Sequence, residues 1–412
     1  MLMSDGTIDE IKARLNIVEL ISSYVKLDKS GAHWKACCPF HQERTPSFMV
    51  NEEKNMWHCF GCGKGGDAFA FVMEMEGLEF REALKMLAER AGVALPQYKG
   101  ETQNKETKDR IYDLLELATK FFEKQLWDGT GKKKILAYLK ERGLSEESIR
   151  TFRLGYAPDG WRYLLEFLVS KGFKVEELES AGLVIKKNHE HQASDIPHPS
   201  ASSHYDRFRD RIMFPIFDIL GRTIGYSARV APGGDESQAK YINTPETPVY
   251  HKSRVLYGLF QAKQAMKQAG TTVIVEGNMD VIAMHQAGLG NTVAVSGTAL
   301  TPEQLVMMKR YGNEVKLFFD MDGAGQKAAR KSAELALEKE LTVSVIALAS
   351  GKDAADMGKD DPERLRTAVA ESLPALQYFL QAILTQYDQG TSDGKRKIVD
   401  EYVTRKYVKR ET

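Results

Sequence analysis

Two apolar runs that end in carboxylates constrain this chain most: Val273-Ile274-Val275-Glu276-Gly277 and Lys316-Leu317-Phe318-Phe319-Asp320-Met321-Asp322-Gly323. Short apolar runs stopped by glycine read as strands. Around them strand and helix patterns alternate. A helix runs through Val281-Ile282-Ala283-Met284, a strand spans 292–295, and Thr301-Pro302-Glu303-Gln304 opens a second helix with a cap, an N1 proline and a capping-box residue. An Ala-rich helix over 326–340 and a strand over 342–348 complete a βα-unit sheet. In such a sheet the carboxyl ends of the strands border the ligand crevice, so Glu276 and Asp320 can converge although far apart in the chain. Gathered there, Glu276, Asp320 and Asp322 form a hard, oxygen-rich site suited to Mg(2+), which retains water and recruits substrate phosphates. For phosphoryl or nucleotidyl transfer, one or two metal ions held there would activate an attacking hydroxyl and stabilise the pentavalent phosphate and departing pyrophosphate. The competing readings are an Asp-Gly turn at a strand end and Glu276 as a helix cap. Asp353 and Asp356, after the last strand, form either a second metal-facing pair or an ordinary capping pair.

All four cysteines fall between Cys37 and Cys62, which points to metal ligation more than to disulfides. Cys38-Pro39-Phe40-His41 and Cys59-Phe60-Gly61-Cys62 give C-x2-H, a gap of 17 residues, then C-x2-C. Cys38, His41, Cys59 and Cys62 therefore predict a tetrahedral Zn(2+) site, with Cys37 and His58 as rivals for single positions. Four filled positions leave none for water, so the zinc folds the ribbon and does no chemistry. Trp34, Phe48, Trp57 and Phe60 surround the knuckles, either as the core of a small module or as stacking partners for bases.

Net charge is zero, so a nucleic-acid partner has to be argued from distribution. From His204 to Lys267 there are ten Lys or Arg against six Asp or Glu. Arg207, Arg209 and Arg211 alternate with Phe208 and Asp210, and one strand would put all three guanidiniums on one face, where they could track a phosphate backbone. Arg222, Arg229, Lys240, Lys252 and Arg254 lie in the same stretch. The strand-rich stretch that begins near Arg207 and turns at Gly221-Arg222 reads as a β-hairpin or meander. Residues 188–204 hold four histidines in a polar tract whose irregular spacing favours a solvated loop over a metal site.

Near the N-terminus, Thr7-Ile8-Asp9-Glu10 has the form of a capping box, and two amphipathic helices, 68–75 and 80–91, follow the cysteines. Residues 98–108 read as a polar linker, followed by helices over 110–127 and 134–142. The chain has no apolar run long enough to span a bilayer and no secretory signal at its start, which favours the cytoplasm.

Zinc knuckles, basic strand and acidic βα unit occur in the order found in bacterial replicative DNA primases, and the local wording is similar too. CCPFHQERTPSF with WHCFGCGKGGD resembles the family's zinc motif. DRFRDRIMFPIFD and KYINTPETPVYHKSRVLYGL resemble its basic polymerase motifs, and VIVEGNMDVIA and DMDGAGQKAA its TOPRIM motifs. The resemblance implies a multidomain α/β and α+β chain: a zinc ribbon over 1–97, a linker over 98–108, a basic α+β subdomain over 109–270, a TOPRIM α/β subdomain over 271–350 and C-terminal helices over 351–412. It implies zinc on Cys38, His41, Cys59 and Cys62, and magnesium, or manganese in its place, on Glu276, Asp320, Asp322 and Asp353. Arg229, Lys240 and Lys252 would contact template or incoming nucleotide. The sequence departs from the family's usual pattern at Asn278, where Tyr is common, and at Tyr226-Ser227-Ala228, where the approach to Arg229 is normally Gly-rich.

The function implied is synthesis of short RNA primers from ribonucleoside triphosphates on single-stranded DNA, by a monomer. Family members also carry a C-terminal domain that binds the replicative helicase, and the expectation here is a fragment or shortened form. The rivals are another TOPRIM enzyme such as a nuclease or topoisomerase, a primase fused to a helicase, and a non-catalytic zinc-ribbon DNA-binding protein. No G-x-x-x-x-G-K-[ST] loop is present, which argues against ATP-driven unwinding by this chain.

Overall fold

The computed structural model describes residues 5–404 except 42, 44, 77, 79, 96–101, 188–203, 236, 296–298, 320–322 and 348–353. Contacts divide the chain into one unit of Met1–Gln103 with Lys263–Ala269, and a second of Asn104–Ala262 with Gly270–Thr412.

The first unit opens with α1 (Asp5–Arg14) and α2 (Ile17–Ser22). Thr7 is not the cap of α1, because the helix already runs from Asp5; Glu10 pairs instead with Arg14 one turn on. Asn16 caps α2, its side chain accepting from the N–H groups of Val18 and Glu19. An antiparallel sheet follows in sequential order: β1 (Asp28–Ser30), β2 (His33–Ala36), β3 (Phe48–Asn51), β4 (Met56–Cys59) and β5 (Gly65–Gly66). Alternation along β4 buries Trp57 and Cys59 and exposes Met56 and His58. Phe48 and Trp57 stack at 5.2 Å between centroids, with Phe40 and Phe71 packed around them. Helices α3 (Ala68–Glu76) and α4 (Phe80–Ala91) follow, and Gly92, at φ +63°, ends α4 in the left-handed conformation that glycine tolerates.

In the second unit α5 (Thr102–Trp127) takes in most of the segment expected as a linker. The apolar face of Ile111, Leu114, Leu115, Ala118 and Phe122 is buried, and the charged residues before it are good helix formers that extend the same helix toward its N-terminus. Then come α6 (Ile135–Glu141), α7 (Glu146–Thr151), β6 (Gly155–Ala157), α8 (Tyr163–Ser170), α9 (Val175–Ser180) and the antiparallel pair β7 (Val184–Lys186) and β8 (His204–Asp206). β9 (Arg211–Phe217) and β10 (Thr223–Val230) form the expected hairpin, flanked by β6 and by β11 (Tyr241–Asn243) in the order β11-β10-β9-β6. β9 is buried along its whole length because both faces are covered. Ile212, Phe214 and Ile216 face one core and Met213 the other.

After α10 (Leu259–Ala269) come β12 (Thr271–Val275), α11 (Asn278–Gln286), β13 (Thr292–Ala294), α12 (Pro302–Lys309), β14 (Glu314–Phe318), α13 (Gly323–Glu338), β15 (Thr342–Val345), α14 (Ala354–Asp360), α15 (Pro362–Ala370), β16 (Leu373–Pro374), α16 (Ala375–Gln386) and α17 (Ser392–Thr404). The sheet order is β13-β12-β14-β15-β16, parallel except for β16. The chain moves from β12 to one neighbour, β13, and returns to the other, β14, so the order reverses between β12 and β14. That switch point is where open α/β sheets place their crevice. No helix among the described residues is long and apolar enough to cross a membrane.

Candidate metal centre and active site

In the first unit Cys38 and His41 come from the loop after β2, Cys59 ends β4, and Cys62 follows in the turn before β5. Their ligand atoms all lie within 4.8 Å of one another. Cys38 Sγ is 3.9 Å from Cys62 Sγ, and Cys59 Sγ is 3.8 Å from His41 Nδ1. Three sulfurs and one imidazole nitrogen at this spacing fit tetrahedral zinc. The two rivals fall away from the cluster: Cys37 is exposed, and His58 lies on the exposed side of β4 with its ring against Phe60. Burial pushes the Cys38 thiol up to about 12. At Cys59 burial pushes the same way but is outweighed by the Ser47 hydroxyl and the Cys62 and Gly61 amides, which bring it to about 7. A bound cation would displace the proton that burial keeps on Cys38.

The aromatic residues divide. Phe48 and Trp57 are core, whereas Phe60 is 73% exposed and Trp34 half-buried, its indole N–H donating to Glu52 at 3.2 Å. Phe60 borders a shallow concavity of about 630 Å³ with His33, Met49, Lys54, Met56 and His58.

In the second unit the register pairs Val275 of β12 with Phe318 of β14, so the two strands end level. Glu276 stands one residue beyond the first tip. Asp320 and Asp322 follow the second, before α13 begins at Gly323, and lie outside the described residues, as does Asp353. Gly277 has an ordinary φ of −114°, so its value is space and not conformation. A Cβ there would sit 2.7 Å from Asp280 Oδ2, the atom that accepts the Gly277 N–H at 3.1 Å. The other oxygen of Asp280 accepts the Ala355 N–H at 3.2 Å. One carboxylate thus ties the turn carrying Glu276 to the first turn of α14, immediately after Asp353. Sequence reasoning passed over Asp280; the available signal was a Gly-x-x-Asp spacing that places an acid at N3 of α11. Asp356 is exposed and pairs with Arg142 at 3.5 Å.

Arg229, near the end of β10, is half-buried, with its guanidinium over Tyr138 and Tyr241 at 5.6 and 5.9 Å. The Tyr241 hydroxyl is pushed up by burial and by Asp280 and pulled down by Arg229, so these three groups share one neighbourhood. Lys240 is exposed just before β11, and its carbonyl accepts the Val230 N–H at 3.0 Å. Lys252 is exposed in a 3-10 turn over Lys252–Arg254. That turn is fastened to the parallel sheet. Thr301 Oγ1 donates to Ser253 O at 2.6 Å, Gln304 Nε2 donates to Val255 O at 2.6 Å, and Tyr257 exchanges backbone hydrogen bonds with Ala294 of β13.

The expectation that Arg207, Arg209 and Arg211 share one strand face is not met. β8 stops at Asp206 and β9 starts at Arg211; between them Asp210, at φ +46°, breaks the alternation. Arg209 folds back over Trp161 and Tyr205 at 4.3 and 5.1 Å and donates to the carbonyl of Asp206. Arg211 is buried and donates to Ala239 O at 3.0 Å and to Gln238 Oε1 at 3.1 Å, which holds the loop leading to Lys240. Arg207 is half-buried, and its own N–H donates to Leu183 O at 2.9 Å.

A ribbon carrying a cysteine and histidine cluster, a four-stranded antiparallel sheet and a parallel sheet whose order reverses at β12 define a multidomain protein of the zinc-ribbon and TOPRIM class. Family models agree: a CHC2 zinc finger matches residues 3–103, a DNA primase catalytic core N-terminal domain 121–263, and a Toprim domain 270–347. The DNA primase of Pseudomonas aeruginosa is 38% identical over 403 residues, covering 96% of this chain and 59% of that protein. The Aquifex aeolicus primase structure, with zinc-binding and RNA polymerase domains, is 30% identical, with a TM-score of 0.61 and 98% of both chains covered. A DnaG primase catalytic domain bound to single-stranded DNA is 30% identical, with a TM-score of 0.61, covering 73% of this chain and 91% of that one. The chain belongs to the bacterial replicative DNA primase family. It spans less than two thirds of the length of curated relatives that it matches, 59% and 64% for two of them.

Proposed function

We propose that the chain is a DNA primase: a DNA-directed RNA polymerase that makes short RNA primers on single-stranded DNA during chromosome replication. The observation that carries this reading is the level ending of β12 and β14 at the switch point, with Asp280 bracing the Glu276 turn against the start of α14. Glu276, Asp320, Asp322 and Asp353 would hold Mg(2+), or Mn(2+) in its place. That ion would neutralise charge building on the α-phosphate as a ribonucleotide 3′-hydroxyl attacks and pyrophosphate departs. Arg229, Lys240 and Lys252 bind phosphates of the template or of the incoming ribonucleoside triphosphate, and the fastening of the Lys252 turn to β13 and α12 sets its reach. Arg207 and Arg209 remain candidate nucleic-acid contacts outside any shared strand face, and Arg211 orders the loop that leads to Lys240. The exposed side of the ribbon around Phe60 supplies an apolar and cationic surface on which template bases can stack, and template binding by the rest of the chain is supported by the similar DnaG primase catalytic domain solved with single-stranded DNA. The zinc, basic, TOPRIM and C-terminal segments keep the boundaries given above as working units. Action in the cytoplasm, as a monomer that meets the replicative helicase through a further domain of the family, completes the proposal.

The test is incorporation of labelled ribonucleotides on single-stranded DNA with Mg(II) or Mn(II), comparing the chain with Glu276→Gln and with Asp320→Asn/Asp322→Asn. Template-dependent short RNA from the parent, lost in both variants while DNA binding persists, is the expected result. DNA binding without incorporation by the parent chain would support the binding-module reading instead, and activity surviving in the variants would remove these acids from catalysis.

A further inference from the structure

Glu43 is 10% exposed and faces the cysteine and histidine cluster without belonging to it. Its two oxygens are both engaged. Oε1 accepts the backbone N–H of Cys38 at 2.6 Å and that of Ser47 at 3.1 Å. Oε2 lies 2.5 Å from the Ser47 hydroxyl and 3.2 Å from His41 Nε2. The opposite ring nitrogen of His41, Nδ1, is the one turned toward Cys59. Ser47 Oγ also stands 3.2 Å from Cys59 Sγ, so a single hydroxyl lies between the carboxylate and a third member of the cluster.

We infer that Glu43 is a positioning residue for the zinc centre: it accepts the Nε2 proton of His41, fixes the tautomer whose Nδ1 lone pair faces the metal, and pins the Cys38 knuckle through its amide. This rests on the reading of Cys38, His41, Cys59 and Cys62 as a zinc site. A histidine that donates its far N–H to a carboxylate is a stronger and better oriented ligand, and loss of such a partner typically costs 10–100-fold in metal affinity. Here the same carboxylate also holds the backbone of a cysteine ligand. One side chain therefore couples two of the four ligands directly, and the Ser47 hydroxyl extends the coupling toward Cys59. Since Cys38 and His41 share one loop and Cys59 comes from β4, Glu43 holds the first knuckle directly and reaches the second through the Ser47 hydroxyl.

The experiment uses the whole chain and three variants, Glu43→Gln, Glu43→Ala and Ser47→Ala. Bound zinc is measured after purification, and its release is followed with the chromogenic chelator 4-(2-pyridylazo)resorcinol. The parent should carry one zinc per chain and release it slowly. Glu43→Ala should release it about 10–100-fold faster, with Glu43→Gln intermediate, because an amide keeps the shape but not the charge. Long-range proton–nitrogen NMR correlations of His41 provide the readout that a merely structural role would leave unmoved. The zinc-loaded parent should show the Nε2–H form with slow proton exchange, and Glu43→Gln, close in size and expected to fold, should show faster exchange of that proton. Parent-like zinc release and His41 signals in both Glu43 variants would overturn the inference and leave the zinc site standing. A parent that binds no zinc would overturn both.

Discussion

Asp206 ends β8 with its carboxylate under the N-terminus of α8, accepting the N–H groups of Leu164 at 2.8 Å and Leu165 at 2.9 Å. Burial nonetheless outweighs those bonds and pushes its carboxyl up to about 7. The folded value therefore lies above the unfolded one, near 3.9. The folded chain holds this proton more tightly, so the contribution of Asp206 to stability is greatest below about pH 4 and declines as pH rises toward about 7. Referred to Asp206→Asn, which does not titrate, the parent should gain stability as pH falls from 7.5 to 5, by an amount on the order of kcal/mol. Urea unfolding of both proteins at the two pH values measures this, and parallel pH dependences would show that Asp206 stays ionised. Single residues were also where the sequence was hardest to read. Alternating arginines predict a strand face, but one residue in the left-handed region, Asp210, redirects Arg209 and Arg211 to different partners. Asp280 resembles any helix-capping acid until its second oxygen is seen to reach Ala355.

Between elements, the contact that matters most for the proposed chemistry joins the Lys252 turn to α12. Thr301 caps α12 by accepting the Gln304 N–H at 3.1 Å, and the Gln304 side chain returns to the Thr301 N–H at 3.0 Å. The same Thr301 hydroxyl donates to Ser253 O. Thr301→Ala should therefore cost about 1 kcal/mol or somewhat more of stability, since cap and tether are lost together. In a primer-synthesis assay it should raise KM for nucleotide or template with kcat much less affected, because Lys252 is loosened and no acid is moved. A fall in kcat at unchanged KM would place Thr301 closer to the reacting groups than this geometry allows. The capping box was legible because it is a local pattern, and so were the ends of α3 and α4, the β9–β10 hairpin and the alternation of strands with helices after Thr271. What was not legible is nonlocal: that Ser253 and Val255 receive those side chains. The N-terminal part of α5 was missed for a related reason, since its polar sequence takes its helicity from the buried face further along.

At the scale of the whole chain two units are stabilised in different ways. The larger has two extensive apolar cores, one joining the antiparallel sheet to the parallel one and the other packing α5, α8 and α9 on the opposite face of β9 and β10. The smaller packs aliphatic side chains of its helices, such as Ile11, Ile21, Val72 and Leu87, around Phe48, Trp57 and Phe71, and carries four side chains from two knuckles that are placed to ligate a metal. Small units with limited cores lean on metal for their folding free energy, whereas a large core does not. The spacing of Cys38, His41, Cys59 and Cys62 announced that dependence in the sequence, because tetrahedral ligation tolerates few arrangements. Heating the full chain in a calorimeter, with and without a zinc chelator, should then show unequal effects. The transition of the larger unit should stay within about 2 °C of its original position, a shift corresponding to about 1 kcal/mol for a unit of this size. The transition of the smaller unit should drop or vanish, and zinc returned in excess should restore it. A chelator that lowers both transitions together would mean that the two cores unfold cooperatively, and one that lowers neither would mean that the ring cluster around Trp57 holds the ribbon without its ion.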